Sequence, residues 1–197
     1  MVPALLLLEF ESVAVGIAAG DAMVKQSPLA DLVAGSVQPG KYLVVAGGDV
    51  ASVDEARRAG VSAGDAALSD QVFLPEVASE VVAVMTGRRP AIEGEALGIV
   101  ETTSVAATLE AADAAVKGAR VRLSEIRLAD GLGGRAYFLL TGEVADVEEG
   151  VAIAELKAGS ERLVAGVVIP QIHPEMLENL SSHAEFQERI RAYKVKG

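Results

Sequence analysis

Residues 96–117 nearly repeat residues 4–25, at an offset of 92 positions. The two segments, ALLLLEFESVAVGIAAGDAMVK and ALGIVETTSVAATLEAADAAVK, are identical at 11 of 22 positions. The match resumes farther along the chain, where residues 40–56 face residues 134–150 and Pro75 faces Pro170. A self-similarity of this length indicates two copies of one structural unit, which we expect to occupy equivalent places in a symmetric object.

The repeat divides the 197-residue chain into two domains, which we place at residues 1–90 and 91–197. The connector at 86–95 is rich in Gly, Arg and Pro, as a linker should be. After Ser181 the chain becomes polar and charged, and Phe186, Ile190 and Tyr193 have the spacing of a short amphipathic helix. We expect that tail to dock as an appendage on one face.

Each copy is predicted to fold as strand, helix, two strands, helix, strand and short helix. Ser12 caps the first helix, a Gln-Pro-Gly turn joins the two middle strands, and Pro75 begins the last helix of copy one. The predicted elements of copy one are 4–10, 12–26, 29–37, 41–46, a helix opened by 47–49, 71–74 and 75–85. Those of copy two are 97–102, 104–117, 121–129, 136–140, 143–158, 163–169 and 174–180.

Composition excludes several classes of function. The chain has no cysteine, so disulfides, thiolate zinc sites and thiol catalysis are excluded. A net charge of −11 disfavours general nucleic-acid binding, because phosphate contacts need clustered Lys and Arg. No apolar run approaches the roughly 18 residues that cross a bilayer, and the N-terminus lacks the features of a secretory signal. We therefore expect no membrane association and a cytoplasmic location.

Catalytic chemistry is not predicted either. His173 and His183 are the only histidines, and no Ser or Asp constellation repeats around His173. The acidic pair Glu148-Glu149 lies near a predicted helix start, where it compensates the helix dipole. We therefore predict no enzyme, no metal site and no cofactor.

The repeated segments resemble the bacterial microcompartment shell domain. ALGIVETTSVAATLEAADAAVKGARV, a Gly-rich loop, TGEVADVEEG and VVIPQIHPEM are similar, in this order, to the first strand and helix, pore loop, second helix and last strand of that family. The resemblance covers about residues 4–86 and 96–180. Two fused copies resemble the tandem, trimer-forming shell proteins of the propanediol-utilisation type. This implies an α/β (α+β) fold in which each domain has a four-stranded antiparallel sheet with helices on one side.

The resemblance also implies a function. The chain would be a structural shell-facet protein of a bacterial microcompartment in the cytoplasm, and its homotrimer would mimic a hexamer. Its partners would be other shell proteins (hexamers and pentamers), encapsulated enzymes, and the small polar metabolites that cross a central pore. Two alternatives stay open: a small-molecule-sensing regulatory module, since duplicated α/β domains of this size also bind ligands, and an electron-transfer shell protein.

Two turns match the pore loop of the family. They are Gln38-Pro39-Gly40 in copy one and Leu132-Gly133-Gly134 in copy two, although on spacing alone each is an ordinary hairpin turn. In some tandem members of the family the copy-one loop carries a cysteine, and three of these would hold an iron–sulfur cluster. Gln38 occupies that place here, so we expect an uncharged ring of Gln38 and Leu132 side chains rather than a redox centre.

Lys25 and Lys117 match the lysine that lies along the tile edge in this family. Each also ends a predicted helix, where a solvated lysine stabilises the helix C-terminus. Asp21 and Asp113 precede them by four residues, a spacing that favours an ion pair on a helix. The resemblance favours an edge role for both lysines.

Overall fold

The repeat in the sequence folds into the same arrangement of helices and strands twice. A computed structural model describes residues 4–181, so the predicted helix around Phe186, Ile190 and Tyr193 lies outside it. Domain 1 runs through β1 (Ala4–Phe10), α1 (Val13–Gln26), β2 (Asp31–Val37), β3 (Lys41–Gly48), α2 (Val50–Gly64), β4 (Leu68–Leu74) and α3 (Ser79–Met85). Domain 2 runs through β5 (Ala96–Thr102), α4 (Val105–Gly118), β6 (Arg122–Leu128), β7 (Ala136–Gly142), α5 (Val144–Ala158), β8 (Leu163–Pro170) and α6 (Pro174–Ser181).

Each domain contains one four-stranded antiparallel sheet. The strand order is β2-β3-β1-β4 in domain 1 and β6-β7-β5-β8 in domain 2, so the two topologies are identical. Both first strands are central, as expected for apolar segments that become buried on both faces. The predicted boundary near residue 90 falls in the irregular connector between α3 and β5. Among the described residues, no helix is long and apolar enough to cross a membrane.

Helices cover both faces of the domain 1 sheet, which corrects the expectation of helices on one side. Successive residues of a strand point to opposite faces. Leu6, Leu8 and Phe10 accordingly belong to an apolar cluster with α1 and α2, whereas Leu5 and Leu7 share a different cluster with α3. The short helix therefore lies against the face opposite to the two long helices.

Serine caps begin the first helix of each domain, as predicted. The backbone N–H of Val15 donates to Ser12 Oγ at 3.4 Å, and that of Ala107 donates to Ser104 Oγ at 3.1 Å. Each bond satisfies a donor that has no partner within the helix. The identity of the two serines in the repeat thus has a local structural cause.

Four predicted boundaries in domain 1 are wrong. Helix α3 begins at Ser79 rather than at Pro75, since Ala78 is its extended N-cap. The Ala78 N–H donates to Asp113 Oδ1 of domain 2 at 2.8 Å, and this long-range bond holds the preceding segment outside the helix. Strand β4 begins at Leu68 rather than residue 71 because it pairs along β1 as far as Phe10. Strand β2 begins at Asp31 and strand β3 ends at Gly48, each two residues later than predicted.

The two domains share one apolar core across their contact. Leu7 and Val81 of domain 1 lie in the same cluster as Val105 and Leu109 of domain 2, and all four are fully buried. Helix α4 lies against β1, β4 and α3 of domain 1. The connector thus joins two domains that are already packed together.

Candidate functional site

The copy-one loop is the tight turn between β2 and β3. The Gly40 N–H donates to Val37 O at 2.9 Å, which closes the turn. Gly40 has a φ of 115°, in the left-handed region that favours glycine. Gln38, Pro39 and Gly40 are all exposed.

The copy-two loop is longer and richer in glycine. It joins β6 to β7, and the Leu132 N–H donates to Ala129 O at 2.9 Å. Gly133 and Gly134 have φ angles of 63° and 84°, so both need the freedom of glycine. Leu132 is half-buried, Gly133 is exposed and Gly134 is buried.

The fold brings these two predicted loops together. A Cβ atom placed on Gly134 would lie 3.1 Å from Pro39 Cδ and 3.4 Å from the backbone oxygen of Gln38. The same atom would lie 3.5 Å from Lys41 Cε. A side chain at Gly134 would therefore be crowded by the copy-one loop, which covers this glycine. The two loops predicted to line a pore thus lie against each other within a single chain, with Gly134 buried where they meet.

The cations beside the loops are paired with carboxylates in, or directly after, the first strand of each domain. Lys41 Nζ lies 3.1 Å from Glu11 Oε1 and 3.7 Å from Glu9 Oε2. In domain 2, Arg135 Nη1 lies 3.2 Å from Glu101 Oε1. The loop side chains themselves, Gln38 and Leu132, carry no charge. The surface where the loops meet therefore combines polar and apolar groups. Both neighbouring cations, Lys41 and Arg135, are balanced by carboxylates.

Glu9 lies behind the loops and is fully buried. Its Oε1 accepts a hydrogen bond from the backbone N–H of Ala106, at 2.6 Å, in the first turn of α4. Burial raises the pKa of the Glu9 carboxyl, while the Ala106 hydrogen bond and the charge of Lys41 oppose that rise. A carboxylate at a helix N-terminus complements the helix dipole. Glu9 therefore joins domain 1 to the start of α4.

The two predicted edge lysines have different surroundings. Lys25 Nζ pairs with Asp21 Oδ2 at 2.5 Å, and its side chain is 73% exposed. Lys117 Nζ pairs with Asp113 Oδ2 at 2.6 Å, and it also donates to Glu76 O of domain 1 at 2.5 Å. The predicted aspartate pairs thus form in both copies, but Lys117 additionally contacts the neighbouring domain.

An ionic network across the domain contact was not predicted from the sequence. Ser104 Oγ donates to Asp70 of domain 1, and Arg162 Nη1 lies 3.6 Å from the other oxygen of Asp70. Arg162 also pairs with Glu110 Oε2 at 2.9 Å, and Lys157 pairs with Glu110 Oε1 at 3.2 Å. Apart from Ser104, these residues are not repeated between the two domains, and this asymmetry is the signal by which the sequence could have revealed them.

His173, the histidine within the described residues, accepts a hydrogen bond from the backbone. The Glu175 N–H donates to His173 Nδ1 at 3.3 Å, at the start of α6, while His183 lies outside the described range. Within residues 4–181, no three His, Asp or Glu side chains gather in an arrangement that could hold a metal ion.

Comparison with protein families gives a clear match. The BMC domain matches the chain twice, at residues 4–77 and 96–172. The chain is 40% identical over 171 residues to the bacterial microcompartment shell protein PduT of Citrobacter freundii, covering 86% of this chain and 93% of that protein. It is also 35% identical over 97 residues to the carboxysome shell protein CsoS1C of Halothiobacillus neapolitanus, which covers 46% of this chain and 91% of that protein.

Solved structures agree with these matches. A crystal structure of a microcompartment protein from Desulfitobacterium hafniense has a TM-score of 0.78 and 40% sequence identity, and the alignment covers 89% of this chain and 98% of that one. A fused, permuted hexameric shell protein from the RMM microcompartment has a TM-score of 0.57 at 17% identity, covering 79% of this chain and 84% of that one. The second similarity concerns the fold alone.

Proposed function

Because the chain belongs to the BMC-domain family of bacterial microcompartment shell proteins, we propose that three copies close into a ring of six domains with a pore at its centre. Membership makes the chain a structural protein of a microcompartment shell, and that shell lies in the cytoplasm. Trimers and pores are typical of the family. The shell relatives favour this function over the alternative of a sensing module.

The contact between the two loops within one chain carries this proposal. Gly134 lies against Gln38 and Pro39, so the chain already contains one third of a closed ring of loops. Rotation about a threefold axis would repeat this contact and alternate the copy-one and copy-two loops around the axis. The pore would then be lined by three copies each of residues 38–40 and 132–134.

The chemistry of these loops favours the passage of small polar molecules. It provides no preference for either cations or anions. Amide groups of Gln38 and exposed glycine backbone offer hydrogen bonds, and Leu132 narrows the opening with an apolar side chain. Lys41 and Arg135 are held by carboxylates at 3.1 and 3.2 Å, which reduces their contribution to the field in the opening. We therefore propose a conduit for small polar metabolites.

Electron transfer has less support as a function of this chain than metabolite transport. The chain has no cysteine, and Gln38 stands at the loop position where the family resemblance implies a cysteine in some tandem members. An amide side chain is a poor ligand for an iron–sulfur cluster, which is held by thiolates. The family itself is structural, and we propose that this member has no enzymatic activity.

Measurement of mass in solution tests the ring. We expect the purified protein to sediment as a species of about three times the mass of the 20.3 kDa chain, or as a multiple of that trimer. Little monomer should be present at micromolar concentration. Sedimentation velocity over a range of concentrations distinguishes trimers from dimers. A monomer that persists at micromolar concentration would contradict the proposed ring.

The edges of such a tile would contact other shell proteins. We propose that these partners are hexamers and pentamers of the shell, with encapsulated enzymes on one side, and that Lys25 and Lys117 lie along the contacts. Lys25 is the more exposed of the two and pairs within its own helix. Lys117 has a second role, because it also donates to Glu76 O.

Replacing Lys25 with alanine should weaken lateral assembly while the soluble trimer stays folded. An exposed helix-end charge contributes less than about 1 kcal/mol to stability, so folding should change little. The double variant Lys25→Ala, Lys117→Ala should assemble less still. Electron microscopy of sheets, with Arg58→Ala as a control at another exposed cation, checks this expectation. Sheets of the double variant as extensive as those of the parent would refute the edge role.

A further inference from the structure

Domain 1 carries an apolar groove between its short helix α3 and strands β2 and β3. The groove has a volume of about 300 Å³, and its apolar lining includes Leu5, Val33, Val45, Val82 and Met85. Val33 is 70% exposed, although its side chain belongs to this lining. Contiguous apolar surface that is open to water marks a place where another segment or molecule binds.

The same place in domain 2 is covered by the connector between the domains. The equivalents of Val33, Val82 and Met85 are Glu125, Leu177 and Leu180. Residues 89–92 of the connector enclose a cavity of about 260 Å³ together with these three residues. Arg89 Nη1 also lies 3.4 Å from Glu125 Oε1. Glu125 is accordingly only 8% exposed, so the connector supplies a cover that Val33 lacks among the described residues.

The C-terminal tail is the segment that corresponds to this connector. The connector follows α3, and the tail follows α6, the repeat equivalent of α3. Thr86, directly after α3, lines the domain 1 groove, and Ser181, at the end of α6, lines the domain 2 cavity. The connector runs from the end of α3 to domain 2. By the same path, the tail would run from the end of α6 to a domain 1.

The composition of the tail suits the domain 1 groove. Phe186 and Ile190 are large apolar residues that match the apolar lining. Residues 189–197 contain four cations and no acid, in a chain whose net charge is −11. At the start of β2, the exposed carboxylate Asp31 lines the groove. The groove thus offers both an apolar surface and a negative charge to this segment.

A pair of opposite charges marks the same correspondence with its signs exchanged. In domain 2, Glu93 Oε2 of the connector lies 3.4 Å from Arg122 Nη2 at the start of β6. The strand equivalent of Arg122 is Asp31. Arg189 lies one position beyond the tail equivalent of Glu93. The tail therefore brings a cation to the place where the strand carries a carboxylate.

We propose that the C-terminal tail of this protein docks in the domain 1 groove, with Phe186 against Val33 and Arg189 beside Asp31. Residues 182–197, which are 16 residues, span up to about 50 Å when extended, whereas a small domain is roughly 30 Å across. Docking covers domain 1 as the connector covers domain 2. The tail is then part of the folded unit and keeps its cations on an acidic protein.

Cysteine pairs test the location of the tail, because the parent has no cysteine. The full-length variant Val33→Cys, Phe186→Cys should be joined by a short bifunctional thiol reagent. The matched control is Ser62→Cys, Phe186→Cys, since Ser62 is exposed on α2 at the opposite face of the same sheet. The control should stay unjoined.

Mass spectrometry of the digested protein identifies the linked positions. A denaturing gel shows whether the tail comes from the same chain or from a neighbouring copy, and either result places it in the groove. The absence of a link between positions 33 and 186, or an equally frequent link in the control, would overturn the docking.

Alkylation of Val33→Cys measures how completely the tail covers the groove. A tail that is docked about nine-tenths of the time should slow the reaction about tenfold relative to a chain that ends at Ser181. Ser62→Cys should react at the same rate with and without the tail. Equal rates at position 33 in the two chain lengths would contradict the proposal.

Charge reversal tests the pairing of Arg189 with Asp31. In the full chain, Asp31→Lys should reduce the protection of Val33→Cys, and the further change Arg189→Glu should restore it. Each rate is divided by that of the shortened chain with the same residue at position 31, because a nearby lysine alters thiol reactivity. Protection that Arg189→Glu does not restore would rule out this ion pair.

Discussion

Replacing Leu109 with alanine is expected to lower the free energy of unfolding by about 2–5 kcal/mol, the usual cost of truncating a buried leucine. Leu109 is fully buried where α4 meets domain 1. The loss should be the same at every protein concentration, because the contact lies within one chain. Chemical denaturation followed by circular dichroism measures it.

Ile17→Ala is the matched control, because Ile17 occupies the equivalent position in α1. In the isolated chain Ile17 is 54% exposed, so truncation should change stability by less than about 0.5 kcal/mol. Any larger effect should depend on protein concentration, since it would act through association of copies. If Leu109→Ala changed stability by less than 0.5 kcal/mol as well, the buried domain contact would not contribute as its burial indicates.

Gln38→Cys should give the ring a metal-binding property that the parent lacks. In the proposed ring the three copy-one loops meet the axis, so one cysteine per chain gathers three thiols. Three thiolates should capture an iron–sulfur cluster or another thiophilic metal, near one per trimer. Anaerobic reconstitution followed by absorption and electron paramagnetic resonance spectroscopy reports the cluster, and metal analysis reports the stoichiometry.

The control for this gain of function is Ser160→Cys, an exposed position after α5 and outside both loops. That variant should bind no cluster and should be alkylated freely. If Gln38→Cys behaved in the same way while remaining trimeric, the copy-one loops would not converge on the axis. The transport proposal would then lose the geometry on which it depends.

Local chemistry explains why much of the fold was predictable. Ser12 and Ser104 mark helix starts because their hydroxyls satisfy nearby backbone donors. The turn at residues 38–40 follows from Pro and Gly, whose backbone preferences are intrinsic. The identity of residues 4–25 and 96–117 at 11 of 22 positions predicts two equivalent domains, and the structure confirms matching strand orders.

The partners of most contacts between the domains could not be predicted from the sequence. The start of α3 depends on Asp113, which lies 35 positions beyond Ala78. Lys25 and Lys117 are identical in the repeat, yet only Lys117 reaches a carbonyl of the other domain among the contacts described. The repeat shows which residues of the two domains are equivalent. It does not show which residues of one domain become buried by the other. The burial of Glu9 likewise depends on the other domain, because α4 of domain 2 donates its hydrogen bond.

The connector at residues 86–95 has a consequence for the order of assembly. Two domains on one short tether meet at an effective concentration on the order of millimolar, well above the concentration at which separate chains meet. The contact of α4 with domain 1 therefore forms before copies associate. In the proposed ring, an incomplete assembly would keep two free ends, whereas a closed ring has none. We therefore expect incomplete oligomers to be scarce beside closed rings.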